Sequence, residues 1–294
     1  MAIDRIGFAC VTYGLGLTTN HTLRLANLPS DRFKEALRSN IRDLEAILSW
    51  MEPRGLRLFR IGSSMVPFAS HQAMTWAWEP MAAMDLARIG QIFRTKGFRF
   101  SMHPGQYNVL NSAAPEVVER TVAELTYSCR VLELMGCDPS HKVILHGGCT
   151  TGGKEAATER LVQNILALPG RLRSRLALEN DERFFDFADI VDICRRAAVS
   201  PLFDIHHHTL NPCRNVSARL ADAEPLWDSR PKVHLSSSKP GARSGAHDLF
   251  VRKEDLEELL ALLPFDADCM VEAKAKEEAA LRVARDLETP RVHP

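Results

Sequence analysis

The stretch Leu202-Phe203-Asp204-Ile205-His206-His207-His208 decides how the chain folds. The apolar run from Pro201 to Phe203 predicts a buried strand, and this strand ends abruptly in a carboxylate followed by three histidines. Because an unpaired buried charge is costly, such an ending needs a partner, and a divalent cation bound by Asp and His would provide one. The alternative for this stretch alone is a strand end with a solvated Asp204 and surface histidines.

The same pattern, an apolar strand followed by a ligand-type residue, recurs along the chain. Eight strand patterns are separated by helical patterns, which predicts parallel strands joined by right-handed crossovers. Eight such units in 294 residues favour an α/β fold, a (β/α)8 TIM barrel in a single domain over residues 1–294. A doubly wound open sheet is the alternative, but its G-x-G-x-x-G fingerprint is absent. The predicted strands are 5–10, 56–61, 99–102, 142–145, 175–178, 201–203, 231–236 and 268–271.

The composition is that of a soluble globular protein, with 45% hydrophobic and 25% charged residues. No apolar run approaches the roughly 20 residues of a membrane span, and the first residues do not resemble a signal peptide. The seven cysteines are scattered without a C-x-x-C, which favours reduced thiols in the cytoplasm over a thiolate zinc site. The net charge of zero neither requires nor excludes a nucleic-acid partner.

Ligand-type side chains follow six of the predicted strands. In a parallel barrel all strands point their C-terminal ends at one mouth, where the active sites of this fold lie. Simpler alternatives exist for single residues, since Glu179 could cap the next helix and Glu272 could pair with Lys274. Coincidence at six strand ends is a poor explanation, so we predict a metal site. Its candidate ligands are His103, His146, Glu179, Asp204, His207, His234 and Glu272, with His247 reaching inward from the loop after the seventh strand.

This number of ligands exceeds what one ion needs, and two or three ions bridged by carboxylates fit better. Ions about 3.5 to 4 Å apart can hold both the attacking and the leaving oxygen of a phosphoryl transfer. Mixed imidazole and carboxylate ligands without sulfur suit Mn²⁺ or Zn²⁺, and ligand type alone does not choose between them.

Several motifs, in order from about Gly7 to Glu277, resemble those of the UV damage endonucleases. The resemblance covers nearly the whole chain. It rests on His103-Pro-Gly-Gln-Tyr107, Leu145-His-Gly-Gly148, Leu178-Glu-Asn-Asp-Glu-Arg183, Phe203-Asp-Ile-His-His-His208, Lys232-Val-His-Leu235, Val271-Glu-Ala-Lys-Ala-Lys-Glu277, Thr18-Thr-Asn and Pro67-Phe-Ala-Ser-His71.

The resemblance implies a TIM barrel related to endonuclease IV and a manganese-dependent DNA repair enzyme. Such an enzyme hydrolyses the DNA backbone on the 5′ side of ultraviolet photoproducts. The eight candidate ligands would hold two or three Mn²⁺ ions, with Lys232 carboxylated to bridge metals. Catalytic roles carry over to Lys232, Glu272 and His71, which would lie near the reaction site. Gln106 and Tyr107 match residues that probe the damaged bases.

Two further regions bear on DNA binding. The loop after the seventh strand is polar and basic, and its Lys239 and Arg243 could hold phosphates without reading sequence. The alternative for this loop is a solvated turn. Phe8 and Thr12 stand where some members of the family have tyrosine and asparagine, so hydroxyl or amide contacts made there are not assigned to this chain.

Three other functions compete with this interpretation: a metal-dependent sugar isomerase or epimerase on the same barrel, an apurinic-site endonuclease, and a damage-binding barrel without catalysis. An isomerase would want a closed, aromatic-walled pocket, whereas this chain has a Gly/Pro-rich loop and basic loop residues. A pure binder would not need the full set of ligands. We therefore expect a metal-dependent endonuclease that acts on damaged double-stranded DNA as a monomer, without a nucleotide cofactor or a membrane.

Overall fold

Eight parallel strands pair in the order of the sequence, and the first also pairs with the last, so that the sheet closes into a barrel. The structure is a computed structural model and describes residues 3–28, 30–242 and 245–288. This architecture confirms the predicted (β/α)8 barrel. The strands are β1 (Ile3–Ala9), β2 (Leu58–Ile61), β3 (Arg99–Met102), β4 (Val143–His146), β5 (Leu176–Glu179), β6 (Ser200–Asp204), β7 (Lys232–Leu235) and β8 (Ala267–Val271).

Helices join successive strands and surround the barrel. The longer helices pack on the outer face of the sheet because each has an apolar stripe on one side. In the first helix the predicted stripe, which includes Leu37, Ile41, Leu44 and Leu48, is buried as expected. The helices are α1 (Asp31–Met51), α2 (Glu79–Thr95), α3 (Pro115–Leu134), α4 (Lys154–Ala167), α5 (Gly170–Arg173), α6 (Phe187–Ala197), α7 (Ile205–Leu210), α8 (Val216–Ala223), α9 (Lys253–Leu262) and α10 (Lys276–Glu288).

Helices α6 and α7 both begin at a capping aspartate, and the sequence predicted only the start of α6. The capping box before α6 is present: the Asp186 carboxylate accepts the N–H of Asp189, and the Asp189 carboxylate accepts the N–H of Asp186. Helix α7 was not predicted, since six residues are too few to show an apolar period. It begins at Asp204, whose carboxylate accepts the N–H of His207 at 2.8 Å. The last residue of β6 is therefore also the cap of the next helix.

Alternate residues of the strands point into the barrel, and this alternation sets the position of the site. On β7, for example, Val233 and Leu235 belong to the large core shared with the helices, whereas Lys232 and His234 point inward. Seven inward residues lie one layer below the mouth: Leu58, Ser101, Ile144, Ala177, Leu202, Lys232 and Met270. Two residues further along the same strands, the layer at the mouth consists of Arg60, His103, His146, Glu179, Asp204, His234 and Glu272.

The barrel wall is tightest between β1 and β2. A Cβ atom on Gly7 would lie 1.4 Å from the carbonyl oxygen of Leu58, so only glycine allows the two strands to pair there. Outside the wall, the rings of Phe8 and Phe59 pack edge to face at 5.6 Å.

None of the helices within the described residues has the length and apolar composition needed to cross a membrane.

Candidate metal centre at the barrel mouth

Glu179 lies in the middle of the barrel mouth, where β5 ends. It is 1% exposed, and each carboxylate oxygen has an imidazole partner. Oε2 lies 2.8 Å from Nε2 of His103, and Oε1 lies 2.7 Å from Nδ1 of His234. The register of β4 and β5 sets His146 beside Glu179, with Nε2 4.0 Å from Oε2. Glu179 therefore does not cap the next helix; Asp186 does.

Three groups of histidine and carboxylate side chains in the described residues bring their ligand atoms within 4.8 Å of one another, and all three contain Glu179. Sharing of this kind is expected of a carboxylate that bridges neighbouring ions. Seven of the eight predicted ligands are thereby brought together, and their binding of metal stays a prediction. The groups are His103 with His146 and Glu179; Glu179 with Asp204 and His207; and Glu179 with His234 and Glu272.

Asn180 fixes the orientation of the Asp204 and His207 pair. Its side-chain oxygen accepts the N–H of Asp204 at 2.8 Å, and its side-chain nitrogen donates to the Asp204 carbonyl at 3.0 Å. Its own carbonyl lies 2.9 Å from Nδ1 of His207, so this nitrogen donates and Nε2 is left for a ligand. All three histidines of the stretch 206–208 are buried, which contradicts the alternative of surface histidines.

The pKa values of two carboxyl groups in the site, Glu179 and Glu272, are held below their ordinary range, which favours the ionised form of both. Burial would raise the pKa of Glu179, but the imidazoles of His234 and His146 outweigh it and hold that pKa well below its ordinary value. Burial also opposes ionisation of Glu272, yet the Arg60 guanidinium, followed by His234, holds its pKa well below the usual range. The mouth therefore keeps negative charge that suits a cation.

The imidazoles divide into two kinds. Burial lowers the pKa of His146 to about 4, so its ring is neutral and ready to act as a ligand at neutral pH. Burial acts on His207 in the same direction, but the carboxylates of Asp204 and Glu179 outweigh it and raise the pKa to about 9. A metal ion that binds His207 must therefore displace a proton.

Arg60 is a member of the site that sequence reasoning missed. It lies on β2, and its guanidinium forms an ion pair with Glu272 inside the mouth, where both side chains are largely buried. Nδ1 of His234 lies 3.0 Å from the same oxygen of Glu272. Glu272 therefore pairs with Arg60 rather than with Lys274. The two-residue alternation along β2 was the signal that could have identified Arg60, because Leu58 and Arg60 share the inward face.

His247, the eighth predicted ligand, lies beside the cluster but outside the three groups. Its ring centre is 5.0 Å from that of His206 and 6.5 Å from that of His207, and its Nδ1 is buried without a hydrogen-bond partner. His206, which was not among the candidates, approaches Ser238 through Nδ1 at 3.1 Å and leaves Nε2 buried and unpartnered. Both rings thus have a buried nitrogen without a hydrogen-bond partner, and this nitrogen is available to bind a metal ion.

Lys232 lies one layer below His234 in the barrel interior. Its Nζ donates to the Ser101 hydroxyl at 2.7 Å. Burial, reinforced by the guanidinium groups of Arg60 and Arg99, lowers the pKa of Lys232 well below its ordinary value. These effects disfavour the ammonium form and favour the neutral amine, which is the form that reacts as a nucleophile.

The other predicted catalytic residue, His71, lies on the loop between β2 and α2 and is exposed. Its ring packs edge to face on Phe68 at 6.0 Å, and its Nδ1 accepts the N–H of Ala73 at 3.1 Å. It borders a surface cavity of about 800 Å³ together with Met74 and Trp78. His71 is not a member of the three Glu179 groups, and its role at the reaction site stays a prediction.

The predicted damage probes extend from the turn after β3. Gln106 and Tyr107 are exposed, and Tyr107 retains 80% of its accessible surface. A Cβ atom on Gly105 would lie 2.9 Å from the ring of Tyr107, so glycine lets the ring fold over the turn. His103 starts this turn, and the probes are therefore held close to the candidate ligands.

Four further residues were considered in the sequence: Lys239 and Arg243 as phosphate contacts, and Phe8 and Thr12 as positions where no contact was assigned. Lys239 is exposed on the loop after β7, and Arg243 lies outside the described residues. Phe8 is completely buried between the barrel and α1, away from the mouth. Thr12 is buried too, and its hydroxyl accepts the N–H of Leu17 at 3.2 Å, which shapes the loop after β1.

The pattern of unsatisfied polar atoms fits a metal site at the mouth. Eight buried side-chain polar atoms in the described residues have no hydrogen-bond partner, and six of them belong to the ends of β6 and β7 and the segments that follow. Native structures rarely leave such atoms unpaired unless a ligand uses them. The six are Asp204 Oδ2, His206 Nε2, His208 Nδ1, His234 Nε2, Ser236 Oγ and His247 Nδ1.

Comparison with known proteins agrees with this site. The sequence model of the family described as UV-endonuclease UvdE matches residues 4–292. A UV DNA damage endonuclease of Clostridium perfringens is 30% identical over 96% of this chain and 70% of its own length. One of Bacillus pumilus is 31% identical over 90% of this chain and 86% of its own length.

Solved structures give the same result. The crystal structure of SacUVDE has a TM-score of 0.90 and 32% identity, and covers 97% of this chain and 98% of that chain. D-Psicose 3-epimerase of Clostridium cellulolyticum has a TM-score of 0.56 at 13% identity over 84% of this chain and 91% of its own, a likeness in fold alone. Fold and family together define a TIM-barrel enzyme, and its candidate metal ligands lie at the C-terminal mouth. The chain belongs to the UV-endonuclease UvdE family, which confirms the resemblance seen in its motifs.

Proposed function

We propose that this protein is a metal-dependent DNA repair endonuclease that hydrolyses the phosphodiester bond on the 5′ side of ultraviolet photoproducts in double-stranded DNA. The observation that carries the proposal is the position of Glu179, a buried carboxylate shared by three ligand groups in a chain of the UvdE family. The relatives of Clostridium perfringens and Bacillus pumilus are named UV DNA damage endonucleases.

The proposed cofactor is two or three Mn²⁺ ions, held by the seven clustered ligands together with His247. When bound, such ions lower the pKa of water to near neutrality and stabilise charge on the leaving oxygen. The protein prepares the site for them. Glu179 and Glu272 supply ionised oxygens, Arg60 orients Glu272, and Asn180 holds the ring of His207.

We further propose that Lys232 carries a carboxyl group in the active enzyme. Its amine nitrogen would bond to the carbon of CO2 and lose a proton, which converts a repelled cation into an anion that metal ions attract. Native mass spectrometry at neutral pH should show one added CO2 in wild-type protein and none in Lys232→Met. A fully active, metal-loaded sample with an unmodified lysine would contradict this assignment.

On the DNA side, Gln106 and Tyr107 would enter the distorted base stack, and Lys239 would hold a phosphate near the mouth. Stacking and phosphate contacts do not read base sequence, which suits an enzyme that must act wherever damage occurs. His71 and Arg243 are proposed to contact the substrate as well. We also propose that the protein acts as a cytoplasmic monomer; sedimentation of the free protein and of its DNA complex would reveal a dimer if one formed.

The test is a nicking assay on supercoiled plasmid that is untreated, ultraviolet-irradiated or depurinated, with Mn²⁺ or with a chelator. The proposal expects nicking of irradiated plasmid in Mn²⁺ and none with the chelator. Nicking of depurinated plasmid alone would favour an apurinic-site endonuclease. Binding of irradiated DNA without nicking under any metal would indicate a damage-binding protein.

A further inference from the structure

Two of the three tyrosines are exposed, and both extend from the rim of the barrel mouth. Tyr107 follows β3 and is 80% exposed, and Tyr13 follows β1 and is 66% exposed, whereas Tyr127 is buried. Exposed aromatic side chains on loops at a functional face are characteristic of binding sites. The function proposed above uses Tyr107 and gives no role to Tyr13.

The loop that carries Tyr13 is fixed at its base. Val11 and Thr18 form an antiparallel bridge, and the Thr12 hydroxyl accepts the N–H of Leu17 at 3.2 Å. On the other flank, the Thr18 N–H donates to the Asp43 carboxylate of α1 at 3.2 Å. The backbone on both sides of Tyr13 is therefore ordered, although its ring is exposed.

A buried carboxylate holds the backbone at Tyr13 itself. Glu277, at the start of α10, is 2% exposed, and its two oxygens accept the N–H groups of Tyr13 at 3.1 Å and Gly14 at 2.6 Å. Two hydrogen bonds to one buried side chain therefore fix the backbone at Tyr13 and Gly14. Glu277 closes the motif that begins at Val271, and the metal centre does not use it.

The same motif ties Tyr13 to the metal centre. Glu272 lies five residues before Glu277, and its N–H donates to the Leu235 carbonyl at the end of β7 at 2.9 Å. One short segment thus contacts the candidate metal centre at its start and the Tyr13 loop at its end. Between them Lys274 is exposed, which adds a positive charge to this part of the rim.

We propose that Tyr13 stacks on a base that becomes accessible when the duplex opens at a lesion, as a second stacking residue beside Tyr107. The inference rests on the proposed function. Strands β1 and β3 flank β2, so the two tyrosine loops start about 10 Å apart on the same rim. Because the backbone at Tyr13 is already ordered, binding has to fix only the side chain, which favours affinity.

The experiment measures binding of a dye-labelled duplex with one photoproduct, and of the same duplex undamaged, by fluorescence anisotropy. All proteins carry Glu179→Gln, so that the DNA is not cut. Tyr13→Ala should weaken binding to the damaged duplex about 10-fold, and to the undamaged duplex by less than about twofold, since stacking needs an exposed base. Tyr13→Phe should bind like the parent, because stacking uses the ring and not the hydroxyl. Met84→Ala is the matched control, since Met84 is 87% exposed on the outer helix α2 and does not belong to a loop of the mouth.

A second readout uses proteins with native Glu179. There Tyr13→Ala should raise KM for damaged DNA about 10-fold and leave kcat within about twofold, because the residue binds DNA and does not touch the reacting phosphate. Unchanged binding by Tyr13→Ala, or equal losses on both duplexes, would overturn the inference. If the Glu179→Gln parent shows no preference for damaged DNA and the wild-type protein shows no incision, the proposed function fails instead, whatever Tyr13 does.

Discussion

At the N-terminal end of the barrel the buried charged groups have partners within the protein, whereas at the mouth some buried polar atoms have no hydrogen-bond partner. Asp268 is fully buried at the N-terminal end, where its carboxylate accepts from Arg99 at 2.8 Å and from Arg5 at 3.2 Å. The guanidinium of Arg99 is completed by carbonyls such as that of Ser140. At the mouth, Asp204 has an equally buried carboxylate, and one of its oxygens has no hydrogen-bond partner.

Burial and charge are similar at the two ends, so neither identifies function. The two ends differ in whether their buried polar atoms have hydrogen-bond partners. The network around Asp268 is closed, because its charged groups pair with one another and with backbone carbonyls. At the mouth, carboxylates and imidazoles gather around Glu179, and some of their polar atoms have no partner. A closed network stabilises the fold, and an open one needs a ligand. The difference predicts that equivalent substitutions at the two ends will affect different properties.

The largest effect is expected from Glu179→Gln, which keeps the side-chain volume and removes the charge shared by three ligand groups. Incision of damaged DNA should fall at least about 10,000-fold, or about 5 kcal/mol of transition-state stabilisation, because the ions that activate water are lost. The free energy of unfolding of metal-free protein should also fall, because the contacts of the Glu179 carboxylate with His103 and His234 are weakened, so incision is the quantity that distinguishes this end. Single-turnover incision in Mn²⁺ and urea unfolding measure the two quantities, and wild-type incision by the variant would remove Glu179 from the site.

Asp268→Asn is the matched change at the other end. Removing one partner of a buried ion pair leaves Arg99 uncompensated, which should lower the free energy of unfolding by about 3 to 5 kcal/mol. Incision per folded molecule should stay within about twofold of wild type, since Asp268 lies two layers below the mouth. A large loss of incision in correctly folded Asp268→Asn would break the comparison between the ends.

The sequence predicted the mouth better than it predicted the closed end. Strands finishing in His103, His146, Glu179, Asp204 and His234 were conspicuous, because ligand-type residues directly after apolar runs have no packing reason to be there. The common direction of parallel barrel strands then placed these residues together at one mouth. The same argument covers the fold, since alternating strand and helix patterns restrict the topology to very few choices.

Features that depend on distant partners were missed, although the alternation along β2 offered a signal for the inward position of Arg60. Arg60 looks like an ordinary charged residue until the barrel closes and brings Glu272 beside it, 212 positions away. His206 becomes a candidate only because the loop carrying Ser238 and His247 folds over it. Phe8 was considered at a position of functional contacts in some relatives, and packing against α1 turns it away from the mouth.

The two ends should also differ, by a smaller amount, in how the free energy of unfolding depends on pH. His141, at the N-terminal end, accepts the N–H of Phe100 at 2.9 Å, and burial lowers its pKa to about 4. Between pH about 6.5 and 4 the unfolded chain binds the extra proton and the native protein does not, so stability falls with falling pH. The loss should reach about 3 kcal/mol at most. Urea unfolding at pH 7 and 4.5 measures it, and His141→Asn, which keeps an acceptor but does not titrate, should show a shallower fall.

His207 at the mouth should behave with the opposite sign in metal-free protein. Its pKa is raised to about 9, so its favourable contribution is complete below about pH 6.5 and is lost as the pH rises through about 9. His207→Asn in metal-free protein should remove this alkaline loss and leave the acid loss from His141 unchanged. An alkaline loss that persists in His207→Asn would show that other groups are responsible.

The smallest expected effect concerns the exposed probes at the rim, where nothing is buried and stability is not involved. Gln106→Ala with Tyr107→Ala should weaken binding to damaged duplex by about 10- to 100-fold, because one base-stacking contact and its neighbouring hydrogen bonds are lost. Undamaged duplex should lose far less, since phosphate contacts dominate there and its bases stay stacked. Metal content and the free energy of unfolding should match wild type, which separates this loss from damage to the centre around Glu179.

Because a weakened stack is cheaper to open, the preference of this variant for damaged over undamaged duplex should shrink most for the lesions that distort the duplex most. Anisotropy titrations over several lesions give this ranking, and equal losses on damaged and undamaged DNA would mean that the turn after β3 only holds the backbone.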